Sequence, residues 1–142
     1  MATAETETGQ ATRALPRRTP ENKRLWDSCV EHAMELQKCD QCARFWYYPS
    51  PICPHCSSLE FTWTPIAGTG KVHSFSWVYR PAPGFEDQVP YAYALVELDE
   101  GPIVATNIVN TTEDELAIDM RVTIHYLDVN PDITLPLFEP QR

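Results

Sequence analysis

The chain has 142 residues and a mass of 16.2 kDa, the size of one ordinary domain or two very small ones. Eleven basic side chains face 20 acidic ones, a formal charge of −9, which is the wrong sign for a protein that neutralises a nucleic-acid backbone. No run of 18 apolar residues suits a membrane span, the five glycines include no phosphate-cradling Gly-Lys-Ser/Thr pattern, and 13 prolines favour short strands and turns over a helical bundle.

Residues 1–18 are small, polar and aperiodic, and predict a disordered tail. They lack the cationic start and apolar stretch of a secretory leader, and Glu5 and Glu7 are out of place in a mitochondrial presequence. The expected location is therefore cytoplasmic, where paired cysteines usually signify metal rather than disulfides. The tail holds three basic and two acidic residues, so the body carries eight basic against 18 acidic ones. The acidity belongs to the folded part.

Residues 19–34 predict an N-terminal helical segment, with the helix itself from about 20 to 33. Thr19 can cap, Pro20 suits the first helical position, and Glu21 favours the positive end of the dipole. Leu25, Trp26, Cys29, Val30, Ala33 and Met34 recur at helical spacing along one stripe. The stripe either docks a partner, with Leu25, Trp26, Val30 and Met34 as contacts, or packs on the segment that follows. Cys29 on this stripe reads as a buried small hydrophobe rather than a nucleophile.

Residues 35–66 predict a zinc ribbon. Cys39-x-x-Cys42 and Cys53-x-x-Cys56 each offer two thiolates from one tight turn. Two such turns can close a tetrahedron around one Zn²⁺. The ten residues between the pairs are fewer than the usual 15–20, yet still span a hairpin whose first strand is Arg44-Phe45-Trp46-Tyr47-Tyr48. A four-cysteine site has no open position, which makes the ion structural; four thiolates also suit iron. Phe45 and Trp46 join the candidate partner contacts.

Residues 67–142 alternate differently. Strands are predicted over 71–80, 91–98, 102–109, 120–127 and 133–138, with Asp99-Glu100-Gly101 as a hairpin turn and Thr112–Leu116 as a capped helical turn. Five strands with a short helix before the fourth suggest a Greek-key barrel of the oligonucleotide/oligosaccharide-binding (OB) type. In the first strand His73, Phe75, Trp77 and Tyr79 share one face, either stacking bases or filling a core. The long connection 81–90 carries Phe85 at its tip, a further candidate partner contact. The fold class is thus mainly β: an N-terminal helix, a rubredoxin-like zinc ribbon and a five-stranded OB barrel. No catalytic residue is assigned, because none of the four histidines has a sequence partner.

These stretches together resemble the DUF35 family, acyl-CoA-associated proteins with a rubredoxin-like zinc ribbon and an OB-fold. The likeness is carried by Leu36-Gln37-Lys38-Cys39-x-x-Cys42, Pro51-Ile52-Cys53-Pro54-His55-Cys56, Gly68-Thr69-Gly70-Lys71-Val72-His73-Ser74-Phe75, the run Pro90 to Gly101, and Leu135-Pro136-Leu137-Phe138. Two positions depart from it: Ala43 and Asp119 stand where the family often has glycine. The resemblance implies a subunit that is not catalytic alone and joins a thiolase-like protein in a hetero-oligomer, most of all a lipid-transfer-type aldolase of steroid side-chain or related acyl-CoA degradation. It also implies contact with the CoA thioester through the complex. The competing reading from the residues is a nucleic-acid-binding zinc ribbon/OB protein.

Overall fold

The computed structural model describes residues 14–142. Helix α1 (Lys23–Val30) precedes eight strands: β1 (Glu35–Cys39), β2 (Phe45–Trp46), β3 (Phe61–Pro65), β4 (Thr69–Val78), β5 (Tyr91–Leu98), β6 (Ile103–Ile108), β7 (Arg121–Asn130) and β8 (Ile133–Pro140). The first three form a sheet in the order β2-β1-β3, and the last five close a barrel in the order β4-β5-β6-β8-β7. Among the described residues no helix is long and apolar enough to cross a membrane. The expected disordered tail lies outside the described residues over 1–13. Its last residues are held: Asn22 Nδ2 donates to the Arg17 carbonyl at 3.0 Å, and Arg18 pairs with Asp27 and donates to the Asp132 carbonyl.

The helix is shorter than its sequence pattern because both ends are closed by specific bonds. At the start, the Thr19 N–H donates to Asn22 Oδ1 and the Asn22 N–H to Thr19 Oγ1. This reciprocal turn occupies 19–22, so regular helix begins at Lys23. At the end, His32 takes φ 58°, its N–H meets the Cys29 carbonyl, and the Ala33 N–H meets that of Ser28. That is a Schellman stop, built here without glycine. The His32 ring is instead fixed by stacking on Tyr126 and by a 2.8 Å contact with Asp128.

Leu25, Trp26 and Cys29 of α1, with Met34 and Leu36, belong to the same buried cluster as Val72, Val96, Val122 and Phe138 of the barrel. The helix packs on β8 and β1, so one continuous core joins ribbon and barrel. The ribbon tip has a small cluster of its own around Cys39, Trp46 and Cys53.

In the barrel, β4 pairs with β5 along most of its length and with β7 through Thr69–Lys71. The Gly70 backbone lies so close to β5 that a Cβ there would sit 2.4 Å from the Glu97 carbonyl oxygen. A bulge falls between Val72 and Ser74. It shifts the alternation by one residue, so that Val72 before it and Phe75 and Trp77 after it all pack on the core while Ser74 and Ser76 face outward. Of the expected aromatic face, Phe75 and Trp77 turn inward, joined by a valine that sequence alternation puts on the other face, while His73 and Tyr79 are exposed. Residues 112–116 form a turn, in which Thr112 receives the N–H groups of Glu115 and Leu116.

Candidate metal centre and its surroundings

Strand β1 delivers Cys39 to the ribbon tip. There the Ala43 N–H bonds the Cys39 carbonyl at 3.0 Å, and at the second pair the Ser57 N–H bonds the Cys53 carbonyl at 2.9 Å. Both loops are the same device: a Cys-x-x-Cys turn closed by a fifth residue in the left-handed region, Ala43 at φ 65° and Ser57 at φ 68°. This explains why glycine is favoured after the second cysteine, since a side chain strains that conformation.

The turns bring Cys39 Sγ within 3.5 Å of Cys56 Sγ and Cys42 Sγ within 3.7 Å of Cys53 Sγ. All four sulfur atoms lie within 4.8 Å of one another. A tetrahedral ion with Zn–S bonds of about 2.3 Å requires sulfur separations of about 3.8 Å, which the two closest pairs nearly match, so the donor set fits zinc. Backbone amides support the thiolates: those of Gln41 and Cys42 point at Cys39 Sγ, and that of His55 points at Cys53 Sγ. The Cys42 amide, followed by that of Gln41, holds the Cys39 thiol down to about 6. At Cys56 the Ser58 amide lowers the thiol value, but the neighbouring Cys39 sulfur and burial outweigh it and push the value up to about 12. Zinc binding needs both sulfurs as thiolates and therefore releases the protons they carry.

The remaining candidates fall outside this cluster. Cys29 is fully buried on α1, where burial pushes its thiol up to about 12. His55 turns away from the sulfurs toward the Arg44 guanidinium and the Phe45 carbonyl. The residues expected to dock a partner separate into two groups. Leu25, Trp26, Met34 and Trp46 are buried inside the chain. Of the two readings of the stripe, packing within the chain holds for Leu25, Trp26 and Met34, because the helix lies on β8 and β1. Trp46 is covered in the ribbon-tip cluster. The expectation of these four as partner contacts is corrected accordingly. Val30 remains 37% exposed. Phe45 is partly buried beneath Lys38, whose Nζ lies 5.5 Å from its ring centroid. Phe85 tilts back onto the barrel, its ring 5.7 Å from that of Tyr91.

Residues 26–62 match the family model described as the ChsH2 rubredoxin-like zinc ribbon domain, and residues 63–127 match the ChsH2 C-terminal OB-fold domain. One chain of the solved Ltp2-ChsH2(DUF35) aldolase superposes with a TM-score of 0.79 and 33% identity, over 89% of this chain and 98% of that one. The chain belongs to the DUF35 family. A DUF35 domain-containing scaffold protein of Methanocaldococcus jannaschii is 31% identical over 67% of this chain and 68% of its own length. A probable enoyl-CoA hydratase alpha subunit of Thermomonospora curvata is 36% identical over 92% of this chain. This DUF35 protein spans only 41% of that subunit's length.

Proposed function

We propose that the chain is a non-catalytic accessory subunit of an acyl-CoA enzyme complex in the cytoplasm, and that its partner is a thiolase-like, lipid-transfer-type aldolase of steroid side-chain or related acyl-CoA degradation. The observation that carries this reading is the match along nearly the full length of the DUF35 chain of a solved aldolase. The four-cysteine cluster supports a structural rather than catalytic zinc, since its four thiolates fill a tetrahedral shell and leave no position for substrate. The partner then supplies the reacting groups, and the CoA thioester is met only within the complex.

The test is reconstitution. The zinc-loaded chain is assayed alone and with the thiolase-like subunit of the same host for carbon–carbon cleavage of an acyl-CoA. Turnover is expected only with both present. Sustained turnover by the chain alone makes it an enzyme in its own right, and salt-dependent oligonucleotide binding in place of complex formation returns the nucleic-acid reading. Metal analysis and the absence of colour distinguish zinc from iron.

A further inference from the structure

Strand β5 reads Tyr-Ala-Tyr-Ala-Leu-Val-Glu-Leu, and its pleat is loaded against the usual pattern of a sheet with one wet face. The small Ala92 and Ala94 are buried, and across from them in register lie Trp77 and Phe75 of β4, which supply the bulk of the interior. The large Tyr91, Tyr93 and Leu95 occupy the other face. Their register partners on that face are small or uncharged: Ser74 and Ser76 on β4, Ala105 and Asn107 on β6. Ile103 extends the face by one row. Tyr93 is 48% exposed and Ile103 43%.

Two hollows flank Tyr93. One of about 190 Å³ lies against Ser74, Ser76 and Leu95. The other, about 210 Å³, runs past Ala105 and Asn107 to Tyr47 at the foot of the ribbon. In a chain with 20 acidic residues, the rows centred on Tyr93 and Leu95 hold no charge, and the next row holds only the facing Lys71 and Glu97.

We propose that this outer face of β4-β5-β6, centred on Tyr93 with Leu95, Ala105 and Ile103, is the surface on which the thiolase-like subunit docks, with uncharged side chains of that subunit filling the two hollows. The inference rests on the accessory-subunit reading and assigns its interface. An uncharged patch with a half-exposed aromatic at its centre is a common form of a protein interface anchor. Charge selects the occupant. Two copies of this chain would bring together bodies with 18 acidic and eight basic residues each, and their like charge opposes pairing. A nucleic acid would find Lys71 on the face and Arg44 and His55 at its Ile103 edge, but these sit beside Glu97 and Glu100 in a body of net acidic charge. A different subunit with a neutral or basic surface meets neither obstacle.

The experiment uses the full zinc-loaded chain and the thiolase-like subunit of the same host, with affinity measured by calorimetric titration. Tyr93→Glu and Ile103→Glu are expected to weaken binding at least thirtyfold, with zinc content and Tm unchanged. Tyr93→Phe and the ribbon control Leu59→Glu, at a side chain 69% exposed, should bind within threefold of the parent. If the parent chain binds and both glutamate variants bind equally well, the docking face is overturned while the accessory reading stands. If the parent chain does not bind but sediments as a dimer that Tyr93→Glu dissociates, the face pairs copies of this chain and the proposal is wrong in its occupant. If the parent chain neither binds nor dimerises, the accessory reading fails and the docking face with it.

Discussion

The indole N–H of Trp26 donates to the hydroxyl of Tyr48 at 3.1 Å, and Asn22 Nδ2 reaches the same oxygen at 3.0 Å. One ribbon hydroxyl thus fastens both the start and the first turn of α1. Trp26 is 4% exposed, so it acts as the peg between helix, ribbon and barrel. Trp26→Ala is expected to cost about 3–5 kcal/mol of stability, from lost packing and a cavity. Trp26→Phe, which keeps most of the packing but leaves Tyr48 with one donor fewer, should cost about 1–2 kcal/mol. Denaturant unfolding of the isolated chain measures both, and the zinc content of the folded fraction should be unchanged. A selective loss of partner affinity at full stability would return Trp26 to the docking surface.

Ala43 offers a gain. It is exposed, so its methyl group packs on little, yet it holds φ 65°. Ala43→Gly removes the strain of a left-handed side chain, partly offset by a freer unfolded chain, and should stabilise the ribbon by about 1 kcal/mol. Thermal unfolding at saturating zinc checks this, and zinc stoichiometry should not change.

Each of Cys39, Cys42, Cys53 and Cys56 should be needed for tight binding of one zinc per chain, and Cys29 should not. Serine at any of the four is expected to weaken zinc retention, whereas Cys29→Ser should retain the metal and lose stability through burial of a hydroxyl in the core. The pH dependence follows from the thiolates. Zinc holds its four ligands as thiolates, so the ordinary thiol range lies above that of the bound sulfurs, and protonation competes with the metal as pH falls. Release of zinc to a chromogenic chelator should therefore rise on acidification, and a zinc content independent of pH down to strong acid would exclude thiolate ligation.

Gly70 has no tolerance for a side chain. A Cβ 2.4 Å from the Glu97 carbonyl oxygen would meet backbone rather than a movable side chain. Gly70→Ala should force β4 away from β5 at the point where β4 also pairs with β7, at a cost of about 3 kcal/mol. The alanine variant should melt early while the ribbon keeps its zinc, a separation that metal analysis of the purified variant can read.

The sequence by itself determined the parts whose signals are local. Four cysteines in two Cys-x-x-Cys turns state their chemistry in their spacing, and the hairpin at Asp99–Gly101 and the strand Tyr91–Leu98 follow from turn residues and alternation. The family resemblance, rather than the residues alone, marked Ala43 and Asp119 as positions that favour glycine, and both take positive φ, 65° and 69°. What only the tertiary structure decided depends on what lies opposite. The stripe of α1 could not announce whether a partner or the chain itself would cover it; β8 and β1 do so, because ribbon and barrel share one core. The bulge at His73 carries no sequence mark, yet it turns Phe75 and Trp77 to the same side as Val72. Once those rings fill that end of the barrel, the facing positions of β5 need only Ala92 and Ala94 inside, and its tyrosines are left on the other face. Side-chain size and alternation fix which residues share a face, but which face becomes the interior is settled by the volume that neighbouring strands already occupy.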